Sequence, residues 1–302
     1  MKPGDLARLA ALAAIWGASF LFMRIVVPPL GPFATAWLRV ALAGIALLVW
    51  LRFAGVGLGW REHWRLYLAV GLVNSAAPFA LWGFAAVHLP ASYLVVLNAT
   101  SPLFGAAVAA AWLGERVGLR AGVGLALGVA GVALLVGLGP LAVSPAVLAA
   151  IAAGASASLC YAAAAAFLRG RAAGVDAAAV ATGSQLGASI LLAPFVAAMP
   201  PAAAPTPGEW VAVAALGVLC TGVAYLLYFR LIADVGPTRA LTVTFLIPVF
   251  GMLWGALFLG EEITAVMAAG CALVLAGTAL ILRPAPRASD PRQTPRATSR
   301  AP

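Results

Sequence analysis

With 302 residues, 64% hydrophobic and only 9% charged, and a mean hydropathy of +1.05, the chain cannot be an ordinary soluble domain, in which about 25% of residues carry charge. A net charge of +9 would suggest nucleic acid as a partner of a soluble protein. Here the charges lie between long apolar stretches, so they read first as a topology signal and nucleic acid is not expected as a partner.

Ten apolar stretches follow one another: Leu6 to Val27, Phe33 to Phe53, Leu66 to Val87, Ala91 to Leu113, Leu119 to Leu138, Pro145 to Leu168, Ala177 to Ala198, Trp210 to Ile232, Thr238 to Leu259 and Thr264 to Leu282. Each is close to the ~20 residues that a helix needs to cross a ~30 Å hydrocarbon core. Lipid offers backbone N–H and C=O groups no partner, so all ten are predicted to be helical. The expected fold is an all-α integral membrane protein with a lipid bilayer around it.

In the first span, Lys2 and Arg8 precede an apolar run longer than a signal peptide allows, so it is expected to stay as an uncleaved helix. Trp16 falls near mid-membrane, away from the interfacial belt where tryptophan is common, and is a candidate pocket residue. Arg24 is near the outer end of that span and is expected to snorkel. Arg39 in the second span lies roughly 10 Å along the helix from Pro32. It could bind a substrate carboxylate, pair with Glu261, or bond backbone carbonyls.

Polar groups in the later spans are site candidates because they are costly in lipid. Asn74 and Asn98 could bind a zwitterion or clamp helices. Gln185 is expected to serve packing, and the hydroxyls of Ser75 and Thr221 to bond carbonyls of their own helices. Trp82, Tyr161, Tyr225 and Tyr228 also supply aromatic surface with a polar edge, Tyr161 and Tyr225 being preferred for their depth, while Trp64, Trp112 and Trp210 read as belt anchors. Pro102 and Pro248 predict paired kinks. Gly124 and Gly128 permit close helix contact, either inside the chain or at a homodimer face. Cys160, Cys220 and Cys271 sit in separate spans without metal-binding spacing, and no cofactor is expected.

One stretch occurs twice. Residues 98–136 overlay residues 244–282 at a constant offset of 146, pairing Pro102, Phe104, Gly105, Leu113, Gly114 and Glu115 with Pro248, Phe250, Gly251, Leu259, Gly260 and Glu261. At the same offset Gly71 pairs with Gly217 and Ser75 with Thr221. The expected organisation is a first five-helix repeat over 1–140, a second over 141–282, and a basic tail, 283–302, expected to be disordered and cytoplasmic. Five is odd, so the second repeat should enter the membrane from the opposite side. The flanking charge agrees: Arg116 and Arg120 follow the first Leu-Gly-Glu, whereas Glu262 follows the second. Sixteen of the 18 Lys and Arg residues fall on one side of a ten-span topology, which predicts both termini in the cytoplasm and the cell's inner or plasma membrane as the location.

Trp16-Gly17-Ala18-Ser19-Phe20, Gly31-Pro32 with Arg39, and the two copies of Pro-x-Phe-Gly running into Leu-Gly-Glu make the chain similar to the drug/metabolite transporter superfamily, specifically its EamA-type ten-helix members. The resemblance covers about residues 6–282 and implies a carrier of amino acids, other small metabolites or drugs. It also implies a central cavity lined by the first, third, fourth, sixth, eighth and ninth helices. One departure concerns substrate charge: related four-helix multidrug exporters use a first-helix glutamate, and this first span has no carboxylate.

Together these features predict a non-enzymatic secondary transporter for small neutral or zwitterionic molecules, working by alternating access and in the export direction. Trp16, Asn74, Asn98, Tyr161, Tyr225 and Arg39 are the expected substrate-binding residues. No Walker-type loop is present to use ATP. The competing readings are a lipid or polyisoprenoid flippase, a multidrug efflux carrier and a non-transport membrane scaffold.

Overall fold

The computed structural model describes residues 1–114, 118–139, 141–169, 171–172 and 174–282. Glu115 and Arg116 of the first Leu-Gly-Glu turn, Pro140 at the expected repeat boundary and the tail from Arg283 lie outside these residues. Among the described residues every regular element is a helix. Eight helical segments are long and apolar enough to cross a membrane. The difference from ten has two sources. The expected first and second spans run together as α1 (Pro3–Phe53), and most of the expected ninth span is the shorter α12 (Val243–Leu259), of 17 residues.

Helix α1 is interrupted at Gly31, with φ 74° and ψ 170°, a conformation that glycine adopts without a Cβ clash. Arg39 Nη1 lies 3.8 Å from Met23 Sδ, whereas a straight helix would hold residues sixteen apart at ~24 Å. The chain therefore doubles back at Gly31, and α1 is a hairpin of two antiparallel arms.

The third and eighth spans each contain a wide turn. α2 (Trp60–Gly71) passes through a π segment, Leu72–Ala76, into α3 (Ala77–His88). In the second half, α9 (Pro207–Ala214) passes through Ala215–Val223 into α10 (Ala224–Val235). Adding 146 to the first π segment gives 218–222, inside the second. Their causes differ. Pro78 lacks an N–H and would crowd the carbonyl of Asn74 in a regular helix. In the second half Thr221 Oγ1 donates to the Leu216 carbonyl at 3.0 Å, five residues back, and so enters the backbone ladder.

The fourth span is split into α4 (Ala91–Asn98) and α5 (Ser101–Leu113). Pro102 cannot donate to the Asn98 carbonyl, which instead accepts from Ser101 Oγ at 2.7 Å. Nearby, the Leu97 carbonyl accepts from Thr100 Oγ1 at 2.6 Å and Ser158 Oγ at 3.3 Å, and the Ala99 carbonyl from Thr278 Oγ1 at 3.1 Å. Hydroxyls thus satisfy backbone that lipid could not. The ninth span breaks between α11 (Pro237–Ala240) and α12, while α12 runs through Pro248. The second break, at Leu241–Thr242, corresponds to 95–96 in the first half, so the two breaks are one turn out of register. The helix breaks that accompany the two prolines are therefore not at equivalent positions.

The remaining helices are α6 (Leu119–Leu138), α7 (Pro145–Leu168), α8 (Ala177–Ala198) and α13 (Ala265–Leu282). Side-chain caps begin several of them: Ser144 accepts from Val147 N–H, Asp176 from Ala178 and Ala179 N–H, and Thr264 from Met267 N–H.

Helices α6 and α13 pack antiparallel through glycines. A Cβ on Gly124 would lie 2.7 Å from the Gly277 carbonyl oxygen, and one on Gly131 2.6 Å from that of Gly270. Gly270 and Gly277 are the counterparts of Gly124 and Gly131 at the 146 offset. Gly128 faces Leu103 of α5. The small-residue face of α6 is therefore occupied within the chain.

At the end of α12, Gly260 turns the chain with φ 65°. Glu261 follows, and its two carboxylate oxygens accept from Ala91 N–H at 2.7 Å and Ser92 N–H at 2.9 Å. A negative group at a helix N-terminus satisfies orphan donors and opposes the helix dipole. This contact ties the ninth span to the start of the fourth.

Candidate functional site

A cavity of about 1200 Å³ lies between the halves, lined by both arms of α1 and by segments of all the later spans. At one end its lining includes Arg169, Ala172, Val175, Ile281 and Leu282, the residues around the close of α7, the start of α8 and the close of α13. At the other end are Phe20, Met23, Arg39, Phe79 and Trp82. Beyond them, Leu89, Ala91 and Leu94 are fully buried beneath the Glu261 contact. The cavity is thus open where the α7, α8 and α13 ends meet and closed on the Glu261 side.

All six residues expected from sequence line this cavity. Trp16 packs against Tyr228, ring centroids 5.2 Å apart and tilted at 56°. Asn74 sits in the first π segment, and its Nδ2 donates to the Tyr225 hydroxyl at 3.3 Å. Tyr225 in turn stacks on Phe229, with centroids 6.1 Å apart. Asn98 is the last residue of α4, so the break before Pro102 places its amide at the cavity wall. Tyr161 enters from α7 and packs on the core that includes Trp82.

Arg39 is only 7% exposed. Its Nε donates to Thr221 Oγ1 at 2.9 Å, and its guanidinium lies 3.8 Å from the centre of the Phe79 ring. Of the three partners considered for it, Glu261 is committed to Ala91 and Ser92 instead. Arg24 is half-buried near the end of its arm, and its Nη1 donates to the Ala86 carbonyl at 2.6 Å, because the third span lies against it.

Gln185 lies outside the cavity lining and is fully buried; its Nε2 donates to Ser75 Oγ at 2.9 Å. Thr221 bonds the Leu216 carbonyl of its own helix, as expected, and also accepts from Arg39, whereas Ser75 accepts from the seventh span. Trp82 and Tyr228, singled out for their aromatic surface but not among the six expected site residues, also line the cavity, as does Phe79. Their signal in sequence was weak, since aromatic residues at helical spacing describe a core equally well.

The lining extends beyond the helices implied by the family resemblance. Arg39 of the second span takes part at the closed end, and Ala121 of the fifth, Val180 of the seventh and Ile281 of the tenth take part near helix ends at the open side. The charged lining residues are Arg39 and Arg169, with no Asp or Glu among them. Cationic molecules would find no counter-charge there.

Apolar helices in two related halves, enclosing a polar and aromatic cavity open at one end, define a multi-pass membrane protein of the transporter class. The chain belongs to the EamA-like transporter family, whose model matches residues 4–137 and again residues 148–283, and thereby to the drug/metabolite transporter superfamily. It is 24% identical over 291 residues to an uncharacterized transporter, YvbV, of Bacillus subtilis (strain 168), covering 90% of each chain. A solved crystal structure superposes with a TM-score of 0.67 at 21% identity, over 93% of this chain and 96% of that one, a likeness that bears on the fold. Family membership points to small-molecule transport across a lipid bilayer rather than to enzymatic chemistry.

Proposed function

We propose that the protein is a secondary carrier for small neutral or zwitterionic metabolites such as amino acids, exporting them by alternating access. The proposed organisation is ten spans in two inverted five-helix repeats, 1–140 and 141–282, with both termini on the cytoplasmic side of the inner membrane. The observation that carries this reading is the cavity between the halves, open at the arginine-rich face and closed under Glu261. Such a site must exchange its open side for transport to occur, and two halves related in sequence supply a route. The antiparallel crossing of α6 on its counterpart α13 supports inversion. Export agrees with a cavity presented to the basic, and by the charge rule cytoplasmic, face.

Trp16, Asn74, Asn98, Tyr161, Tyr225 and Arg39 are proposed to contact substrate. Counterflow into proteoliposomes, run with a panel of amino acids, nucleosides, sugars and hydrophobic cations, tests the reading. Accumulation of a zwitterionic or neutral compound is expected; accumulation of cations alone would overturn the substrate class. Single cysteines at Gly118 and Gly260 should label from opposite sides of the membrane, and labelling from one side would reject the inversion.

A further inference from the structure

We infer that the closed end of the cavity is a carboxylate subsite, formed by the Arg39 guanidinium and the Trp82 indole N–H. The inference deepens the carrier reading and rests on it for the meaning of the cavity.

Arg39 is a donor-only group with five N–H bonds. The protein gives it little to donate to: Thr221 Oγ1 at 2.9 Å, and the weakly accepting Met23 sulfur at 3.8 Å from Nη1. Among the described residues no carboxylate pairs with it, and no Asp or Glu lines the cavity. The face of Phe79 at 3.8 Å offers only quadrupole attraction. A buried cation without a counter-charge is costly, and the cost is relieved when a ligand brings the missing anion.

The second donor is independent of the first. Trp82 is 1% exposed, lines the same cavity, and its Nε1 makes no hydrogen bond of good geometry within the protein, the neighbouring polar group being the hydroxyl of Tyr161, itself a cavity residue. A buried indole N–H ordinarily has a well-placed partner. Trp82 stands one turn from Phe79 on α3, on whose ring the guanidinium rests. Phe20 holds the indole edge to face, centroids 5.5 Å apart. Two donor-only groups, one of them charged, suit an oxyanion and offer an ammonium nothing. A carboxylate matches a single planar guanidinium in charge and shape. The rest of the substrate would extend toward the open end.

The test is equilibrium binding of radiolabelled benzoate to the full chain in lipid nanodiscs. Competition would use 3-phenylpropanoate and L-phenylalanine against their amides, with phenyl phosphate as the alternative anion. Acids are expected to compete at least tenfold better than amides and better than the phosphate ester. Arg39→Gln should erase the acid-over-amide preference. That variant installs at 39 the amide found at its counterpart, 185, so its bond to Thr221 and its folding should survive, as monodisperse elution would show. Trp82→Phe keeps an aromatic side chain but removes the indole N–H along with part of the ring system, and should weaken acid binding several-fold while leaving amide binding less changed. Absence of saturable benzoate binding, equal competition by acids and amides, tighter binding of the phosphate ester, or a preference that survives Arg39→Gln would each overturn the subsite. Counterflow separates the two readings: acid binding without flux of any compound rejects the carrier, whereas flux that ignores the acid group rejects only the subsite.

Discussion

Arg39 Nε donates to Thr221 Oγ1 at 2.9 Å, joining the second span of the first half to the third span of the second half. The relationship has a counterpart: Gln185 Nε2 donates to Ser75 Oγ, also at 2.9 Å. Both members of the second pair stand at the 146 offset from the first, 39 to 185 and 75 to 221. Glycines repeat the exchange. A Cβ on Gly217 would meet Leu42 and the Arg39 carbonyl, and one on Gly71 would meet Ser184 and Ala188. Each half thus anchors its second span on the other half's π segment. The two anchors differ in charge, and only the arginine lines the cavity.

That difference gives a stability prediction. Thr221→Val strands a charged, buried donor, and hydrogen bonds to charged groups contribute about 1.5–3 kcal/mol. Ser75→Ala removes a neutral interhelical bond, for which the average inside membranes is about 0.6 kcal/mol. Thermal unfolding in one detergent should therefore show the larger fall in Tm for Thr221→Val. The opposite order would mean that Arg39 gains little from the hydroxyl.

Glu261 supplies a second prediction. Its carboxylate satisfies two N-terminal donors of α4, and loss of such a cap costs about 1–2 kcal/mol. Glu261→Ala should lower Tm accordingly and loosen the closed end. Ser92 is 1% exposed, so a cysteine placed there should react slowly with maleimide, and at least several-fold faster when Glu261→Ala is added. An unchanged labelling rate would show that the contact does not hold that end shut.

Much of this architecture was legible in the sequence because lipid imposes one rule everywhere: apolar length predicts helix. The duplication was equally plain at Pro102/Pro248 and Gly124/Gly270, where backbone crowding restricts the side chain. The Arg39–Gln185 equivalence was hidden because the second spans face different environments, one a cavity and one a packed interior, and share almost no side chains. The hairpin at Gly31 and the one-turn offset between the helix breaks were also illegible. They depend on how neighbouring hydroxyls such as Thr100 and Thr278 meet freed carbonyls, a tertiary matter. Asn74, Asn98 and the tyrosines stood out because polar groups at mid-span have few other uses, while Phe79 looked like core.

Helix α6 separates two kinds of glycine. Gly122 has open space where a Cβ would stand, so Gly122→Ala should be neutral or stabilising by up to about 1 kcal/mol through helix propensity. At Gly124 the same change puts a methyl 2.7 Å from the Gly277 carbonyl oxygen, and overpacking of this kind costs about 1–3 kcal/mol. Tm measurements on the two variants should move in opposite directions or differ by at least that margin. Equal behaviour would place the α6–α13 contact further apart than 2.7 Å implies.

Trp16 and Asn98 both line the cavity, on α1 and at the end of α4, and neither side chain is needed to hold its helix. The Trp16 ring leans on Tyr228, itself half-buried against the core, and the hydrogen bond at Asn98 is made by its backbone carbonyl. Truncation should therefore leave the fold intact and act on transport. Trp16→Ala removes an apolar wall and should raise the half-saturation concentration of the transported compound about tenfold, as expected for loss of an aromatic contact worth about 1.5 kcal/mol. Asn98→Ala removes a donor and an acceptor and should lower flux by a similar factor. Counterflow on monodisperse protein measures both. If neither variant alters flux of a compound that the unmodified chain accumulates, these two walls of the cavity do not touch the substrate and its path lies elsewhere in the bundle.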